Sequence, residues 1–345
     1  MRNDTEVSAI DDGKPVSTSN RRIRSVLTRV LWGGHWLLRI WLAGYLLVYG
    51  WSKVFLMQMG YADYSDALIQ YGEMSPMGLL WRFMGFSPVV QFLAGAAEVT
   101  AAILLLFRRT AWLGAALAVV DMSVVFLLNL TFDVPVKQLA GMMALAGLIL
   151  LIPNLVRLGR FLIGLPTGAP VQGRISDNRI FVAITKWTSP LLAVVLIVGS
   201  GVAFGLRTNW GQLDPAPVVA GVYRADDGGQ RTVDSAEITQ MAFGQIAVGG
   251  KARVAIRFAD GSFQDGSYQV KDDGSLALSL YPKLAGDQGL VRDVSTRMGL
   301  RYDLGDQGRL RLTGDGLDLT LVPDPERRYL YDRDFSWAPR EAIHR

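Results

Sequence analysis

Five apolar stretches, each long enough to cross a lipid bilayer, constrain the fold of this chain more than any other feature. They cover residues 26–57, 88–107, 111–131, 136–156 and 181–206. A membrane-spanning helix needs about 20 mainly apolar residues, and in lipid only helices and closed barrels satisfy their own backbone polar groups. With 50% hydrophobic and 19% charged residues, the chain is predicted to contain an all-α membrane bundle with five spans.

The sequence changes character after residue 206, where no long apolar run remains and hydrophobicity alternates instead. Alternation with a period of two is typical of half-buried strands, and it occurs at residues 251–258, 275–281, 309–312 and 317–321. Asp-Gly pairs at 260–261, 273–274 and 315–316 are hairpin turn signals. Seven or eight short strands would form a small antiparallel barrel-like soluble domain.

These patterns divide the chain into segments. We predict a disordered cytoplasmic tail (1–25), a four-helix transmembrane domain (26–165), a cytoplasmic linker (166–180), a fifth transmembrane helix (181–207) and a periplasmic β domain (208–345). The tail is assigned from its polar, Ser- and Asp-rich composition, which does not support a packed core.

Lysine and arginine are unevenly distributed between alternate loops, and this bias predicts the orientation. Arginine concentrates before the first stretch, at Arg108 and Arg109, and between the fourth and fifth stretches, whereas the loop at 58–87 carries Asp63, Asp66 and Glu73. The N-terminus is therefore predicted to be cytoplasmic in a bacterial inner membrane. Five spans would then place the C-terminal domain in the periplasm.

The absence of cysteine and the scarcity of histidine limit the chemistry. The chain has no Cys and two His, His35 and His344, so thiol redox chemistry, thiolate metal sites and bis-His haem are excluded. No Gly-rich phosphate loop is found. We expect no covalently bound cofactor and no metal. The basic balance is explained by lipid head groups, so the lipid bilayer is the expected partner and nucleic acid is not.

Three ionisable residues lie in the middle of apolar stretches: Arg39, Glu98 and Asp121. Counted from the start of their stretches at 1.5 Å per residue, they lie about 15–18 Å deep. Charges at this depth are costly and usually pair inside a bundle. The sequence therefore predicts a buried polar cluster in which Arg39 pairs with Glu98, with no residue assigned a catalytic role.

A second polar group is expected at the outer membrane interface. It comprises Tyr49, Lys53, Asn129, Asp133 and Lys137. This group would form a polar mouth above the buried cluster. Asp133 and Pro135 also suit the capping of a following helix, and Lys53 suits snorkelling, so structural roles compete with the mouth hypothesis.

Aromatic residues crowd the loop between the first two stretches. Tyr61, Tyr64, Leu68 and Tyr71 have helical spacing, and Trp81 follows them. One interpretation is an interfacial aromatic belt. The other is that Tyr61, Tyr64 and Trp81 face a lipophilic ligand such as a quinone.

The membrane half resembles the DoxX family of bacterial integral membrane proteins over about residues 30–165. The resemblance rests on Arg39, on Tyr49-Gly50-x2-Lys53 and on Glu98 within the small-residue run 93–106, with further similarity at 129–137 and 150–157. It implies a four-helix membrane bundle in which Arg39, Lys53 and Glu98 are the polar positions of the family. The family is named after subunits of a thiosulfate:quinone oxidoreductase, and other members look like assembly factors. The β domain is similar to lipocalin-like modules appended to longer relatives.

Two functional hypotheses follow. In the first, the protein is a quinone-facing or assembly subunit of a membrane oxidoreductase system with a periplasmic redox partner. In the second, it is a non-catalytic membrane scaffold, or a lipid- or ligand-binding protein. Gly201-x3-Gly205 would pack within the chain or form a homodimer. We expect a packed β domain without a ligand cavity, closed by a last strand and an aromatic plug at 329–337.

Overall fold

The computed structural model describes the backbone of residues 18–171, 173, 176, 178–207, 213–226, 229, 231–233, 235–283, 293–333 and 336–341, with side chains from residue 24 onward. Its α-helices are α1 (Thr18–Val54), α2 (Pro76–Phe86), α3 (Pro88–Leu106), α4 (Ala111–Thr131), α5 (Lys137–Leu151), α6 (Leu155–Leu162), α7 (Arg179–Arg207) and α8 (Tyr329–Asp332). The predicted apolar stretches are therefore helical.

Four helical segments in the described part of the chain are long and apolar enough to cross a membrane. They are α3, α4, the α5–α6 segment Lys137–Leu162 and α7. Helix α1 does not meet that criterion, although its 37 residues exceed the length of a span. Its most apolar part carries two cations, Arg39 and Lys53. The fifth span therefore stays a prediction.

Glycines let the helices approach one another closely. A Cβ at Gly95 of α3 would lie 2.6 Å from the Gly50 carbonyl oxygen and 2.7 Å from Cβ of Lys53, both on α1. A Cβ at Gly114 of α4 would lie 2.8 Å from the Ala101 carbonyl oxygen of α3. Such contacts leave no room for a side chain, as expected at helix interfaces in lipid.

The glycine pair at the end of α7 packs within the chain, which confirms one of its two predicted roles. A Cβ on Gly201 would lie 3.0 Å from the ring of Trp51, and one on Gly205 would lie 3.5 Å from the ring of Phe55. The indole N–H of Trp51 also donates to Ser200 Oγ at 3.0 Å. These residues attach the end of α7 to the end of α1.

The β domain is a closed antiparallel barrel. Its strands are β1 (Gly221–Ala225), β2 (Thr232–Val233), β3 (Ala236–Val248), β4 (Lys251–Phe258), β5 (Phe263–Val270), β6 (Ser275–Leu280), β7 (Thr296–Leu304), β8 (Leu310–Gly314) and β9 (Leu317–Pro323). From β3 to β9 each strand pairs with the next. Because β1 pairs with both β9 and β3, these eight described strands close, while β2 only extends the edge of β3.

Apolar side chains fill the inside of the barrel. Strand β6 shows the strict alternation that the sequence predicted, with Leu276, Leu278 and Leu280 buried between half-buried neighbours. Together with Phe243 and Tyr268 they belong to one continuous buried cluster drawn from all eight strands. The expectation of a packed domain thus agrees with the described interior. The Asp-Gly turns are also confirmed, since Gly261, Gly274 and Gly316 have φ of +81°, +77° and +78°.

The segment after β9 does not form the predicted last strand and aromatic plug. A 3₁₀ turn (Pro325–Arg328) and the four-residue α8 follow instead, and Trp337 is 93% exposed. Two physical reasons explain the error. Pro323 and Pro325 cannot donate to a strand ladder, and a barrel closed by β1 and β9 has no free edge for another strand.

The residues cluster into two compact units. The first comprises the chain up to Val48 with Glu98–Val124 and Gln138–Gly199, and the second comprises Tyr49–Ala97, Val125–Lys137 and the chain from Ser200 onward. The second unit therefore contains the barrel together with the connection between α1 and α2. This connection forms polar contacts with the barrel.

Candidate functional site

Among the described residues, six polar side chains are buried within the helical segments. They are Arg39, Lys53, Gln91, Glu98, Asn129 and Asn154, with exposures of 7%, 5%, 0%, 1%, 7% and 5%. Polar groups are expensive inside a membrane and are usually functional or needed for packing. Asp121, the third member of the predicted cluster, is only half-buried. Gln91 was missed because an uncharged amide in an apolar stretch gives a weaker signal than a charge.

Glu98 is not among the groups that act on Arg39 in the described part of the chain, and the predicted pairing of Arg39 with Glu98 stays a prediction. Arg39 is coupled electrostatically to Arg108, which lies just after the end of α3, whereas Glu98 lies ten residues before Arg108, about 15 Å along the helix. The equal depth from which the pairing was predicted was counted from the start of each apolar stretch. Helix α1 is 37 residues long, about 55 Å, so its start does not mark the membrane surface.

Arg39 belongs to a group of side chains at the α3–α4 end of the bundle. One turn earlier on α1, Nε2 of His35 lies 3.1 Å from the Leu150 carbonyl oxygen of α5. The His35 ring also meets the Trp32 ring, with centroids 5.0 Å apart. Nε of Arg39 is buried and has no hydrogen-bond partner among the described residues.

Lys53 lies inside the helices rather than along a lipid-facing surface. It is 5% exposed, and its Nζ lies 5.7 Å from the ring centroid of Tyr49. Nearby on α3, Gln91 accepts from the Met59 N–H at 3.0 Å and donates to the Gly60 carbonyl at 3.1 Å. Gln91 therefore fixes the chain where it leaves α1.

The other residues of the predicted outer mouth have different surroundings. Asn129 is buried, but the side chain of Asp133 is 76% exposed and pairs with Lys137. This pairing lowers the pKa of the Asp133 carboxyl. Asp133 does not cap α5, which begins four residues later at Lys137; it adopts a left-handed backbone conformation with φ of 51°.

The aromatic loop does not have the predicted helical face. Between α1 and α2 the chain forms only two 3₁₀ turns, Tyr64–Asp66 and Tyr71–Glu73. The Tyr64 hydroxyl donates to Asp332 at 2.9 Å, and the Trp81 indole donates to the Gln58 carbonyl at 3.1 Å. Tyr61 is half-buried, and burial raises the pKa of its hydroxyl. The helical spacing of these aromatic residues was misleading, because this polar loop contains Gly and Asp and forms no continuous helix on which they could share a face.

This loop, residues 61–73, is a strap that lies against the outer face of the barrel. Leu68 is 1% exposed and packs in a small cluster with outward-facing barrel residues: Val222, Ala242, Ala255 and Phe263. Tyr64, Ala67 and Ile69 pack around this cluster. At about 25 cal/mol per Å² of apolar surface, fully burying one leucine contributes about 1.5–3 kcal/mol.

Asp63 attaches one end of the strap to the backbone of β3. Its carboxylate is 2% exposed and accepts from the N–H groups of Gln245 at 2.6 Å and Ile246 at 3.3 Å, and from Ser65 Oγ at 2.7 Å. The two amides lie where the register between β3 and β4 shifts. Asp63 therefore satisfies donors that the sheet ladder leaves unpaired. A Cβ on Gly244 would lie 2.2 Å from Oδ2 of Asp63.

Two further strap carboxylates bind arginines of β4. Asp66 accepts from Arg253 at 3.0 and 3.3 Å and from Arg82 of α2 at 3.2 Å. Glu73 forms a two-pronged pair with Arg257, each contact 2.6 Å long, and hydrogen bonding from Arg257 lowers the pKa of Glu73. Arg257 is 6% exposed and also donates to the carbonyls of Leu68 and Gly261.

The sequence contained a signal for this docking site. Arg253, Ala255 and Arg257 alternate along β4, so they share its outer face, and a small residue between two arginines leaves room for another chain segment. The strap carboxylates were interpreted only as evidence for orientation. A search confined to the described residues finds no group of three or more His, Cys, Asp or Glu side chains placed to hold a metal ion.

Comparison with known proteins gives the family of the helical part. The DoxX family model matches residues 34–130, and the chain is 34% identical over 113 residues to the uncharacterised protein YwoB of Bacillus subtilis, covering 33% of this chain and 71% of YwoB. This chain belongs to the DoxX family. It is a membrane protein of that family with a barrel domain, and no solved structure matches it significantly.

The family match covers the strap but not the residues that bind it. In this DoxX protein the strap lies within the matched region 34–130, whereas Arg253 and Arg257 lie in the barrel. YwoB is uncharacterised, so its similarity assigns no activity to the helical part or to the barrel. The contacts between strap and barrel are therefore the feature from which a function of this particular chain can be argued.

Proposed function

We propose that this DoxX protein is a non-catalytic membrane scaffold, whose barrel serves as a docking module for another component of a membrane assembly. The observation that carries the proposal is the attachment of the strap to the barrel. Three carboxylates and one buried leucine of the loop that follows α1 bind β3 and β4. Such contacts hold the barrel in a fixed position against the strap. A scaffold requires this, and a freely tethered domain would lack it.

The chemistry of the chain supports a scaffold over an enzyme that acts alone. It contains no cysteine for thiol redox steps. The described barrel interior is filled by apolar side chains, which speaks against a lipocalin-like ligand cavity. The membrane assembly that fits the DoxX family is an oxidoreductase system, with the barrel facing its periplasmic component.

Native gel electrophoresis of mildly solubilised membranes tests the scaffold. The wild-type chain should migrate in an assembly heavier than its 37.8 kDa together with detergent. Asp63→Ala should release the chain from that assembly, because it frees one end of the strap. Asp318→Ala is the matched control, since Asp318 is an exposed carboxylate on β9 whose described ion pair is with Arg311 of β8.

The outcomes separate the alternatives. Loss of the heavy species in Asp63→Ala but not in Asp318→Ala supports the scaffold. A species of twice the chain mass identifies a homodimer. A wild-type chain that migrates alone would contradict the proposal, as would reduction of a quinone by the purified protein when an artificial electron donor is supplied but no other protein is added.

A quinone-facing role is the second candidate, and the buried polar residues of the helices favour it. Lys53 and Gln91 lie in the second unit, are nearly inaccessible to solvent and can hydrogen-bond a carbonyl group. A photoreactive quinone analogue applied to membranes should then label Tyr49, Lys53 or Trp81, with free quinone competing. Diffuse labelling of all lipid-facing helices would reject this role.

A further inference from the structure

A buried guanidinium lies at the α3–α4 end of the bundle. Arg39 is 7% exposed, and its Nε has no hydrogen-bond partner in the part of the chain that the structure describes. A buried N–H of a charged group that lacks a hydrogen-bond partner is costly. A guanidinium in this situation is stabilised by an anion that accepts its N–H groups.

A second arginine lies within electrostatic range of the first. Arg108, in the α3–α4 loop, acts on Arg39 electrostatically, and its Nη2 donates to the Gly173 carbonyl at 3.0 Å. The Trp32 ring lies directly against Gly173, where an added Cβ would come within 1.7 Å of the ring. Helix α1, the α3–α4 loop and Gly173 thus meet near two like charges, an arrangement that favours a bound anion.

Neither Glu98 nor Asp121 is among the groups that act electrostatically on Arg39. Glu98 lies ten residues before Arg108, and Asp121 lies ten residues into α4 from Ala111. Both are about 15 Å along their helices from the α3–α4 end. His35, one turn from Arg39, directs its Nε2 to the Leu150 carbonyl and contributes no negative charge.

We propose that Arg39 and Arg108 bind a phosphate group at the α3–α4 end of the bundle. The planar fork of arginine fits the oxygens of a phosphate. The ends of membrane helices lie at the depth of lipid phosphates, and basic residues at such ends attract anionic lipids. The phosphate therefore comes from an anionic phospholipid head group or from a soluble phosphate.

Titration of the purified protein in maltoside micelles, which contain no phosphate, tests the site. A short-chain phosphatidylglycerol is added in one arm and inorganic phosphate in the other, and the melting temperature is followed. The wild type should show a saturable rise. Arg108→Gln should weaken the binding about tenfold, the loss expected when one charged hydrogen-bond partner is removed. Arg109→Gln is the matched control, since Arg109 is the exposed neighbour with the same charge.

Each outcome decides the proposal. A rise with phosphatidylglycerol that Arg108→Gln weakens and Arg109→Gln does not supports a lipid phosphate. The same pattern with inorganic phosphate supports a soluble one. No saturable rise in either arm overturns the site, and so does equal weakening by both variants, which would indicate general surface charge. Arg108 is exposed, so Arg108→Gln tests the site without the folding risk of changing Arg39.

Discussion

Replacement of Asp63 by alanine should detach one end of the strap from the barrel. The substitution removes the acceptor of the Gln245 and Ile246 N–H groups and leaves these two β3 donors unsatisfied. Hydrogen bonds to charged groups contribute about 1.5–3 kcal/mol each. Because the Ile246 contact is long at 3.3 Å, we expect a total loss of about 2–4 kcal/mol.

The loss can be measured by melting and by labelling. For a domain of about 140 residues, which lies between the two size classes of the scaling, it corresponds to a fall of roughly 5–20 °C in the melting temperature of the barrel. The chain has no cysteine, so a single Leu68→Cys substitution reports on the strap. A maleimide should react slowly with this buried position in the parent chain and quickly after Asp63→Ala is added.

The control is Asp318→Ala, which removes an exposed carboxylate from a pair whose side chains are 58% and 47% exposed. Exposed pairs contribute about 0–1 kcal/mol, so this variant should melt within a few degrees of the wild type. Equal melting temperatures for the two variants, with position 68 still protected in both, would refute the assigned role of Asp63.

Three further predictions concern the helices, the pH dependence and the orientation. Gly95→Ala should destabilise the bundle by about 1–3 kcal/mol, because its Cβ would lie 2.6 Å from the Gly50 carbonyl oxygen, whereas Gly44→Ala, with nothing within 4 Å, should be neutral in a thermal melt. Arg257 lowers the pKa of Glu73 below its ordinary value of 4.5, so this contact stabilises the fold at higher pH and is lost as the pH falls through the lowered pKa. Glu73→Gln should therefore flatten the fall in melting temperature below about pH 4.5. An unchanged dependence of the melting temperature on acid pH would contradict the pairing. If α1 is a fifth span, alkaline phosphatase fused to the C-terminus should be active, and an inactive fusion would mean an even number of spans.

The helices and most barrel strands could be predicted because their residue patterns have a local cause. An apolar run of 20 residues must be helical in lipid, and the alternation at 275–281 matches the strand Ser275–Leu280. The turn at Gly261 could also be predicted, since an Asp-Gly pair favours the positive φ of +81° that Gly261 adopts.

For the candidate site, the sequence predicted which residues are unusual but not which residues they contact. The sequence identified Arg39, Lys53 and Glu98 as unusual, but their partners depend on how far each helix extends beyond the apolar run. The contact of Asp63 with Gln245 joins residues 182 positions apart. No local pattern encodes such a pairing, and the match of Arg257 to Glu73 likewise appears only once β4 and the strap have folded.

Hydrogen exchange of the strap in lipid nanodiscs tests the central claim most directly. If residues 61–73 bind the barrel, the amides of this segment, and those of Gln245 and Ile246, should exchange as slowly as the neighbouring amides of β4. Asp63→Ala should accelerate exchange in the segment while leaving β6 and β7 protected. Exchange of the wild-type strap at the rate of an unstructured loop would contradict the claim that this segment holds the barrel.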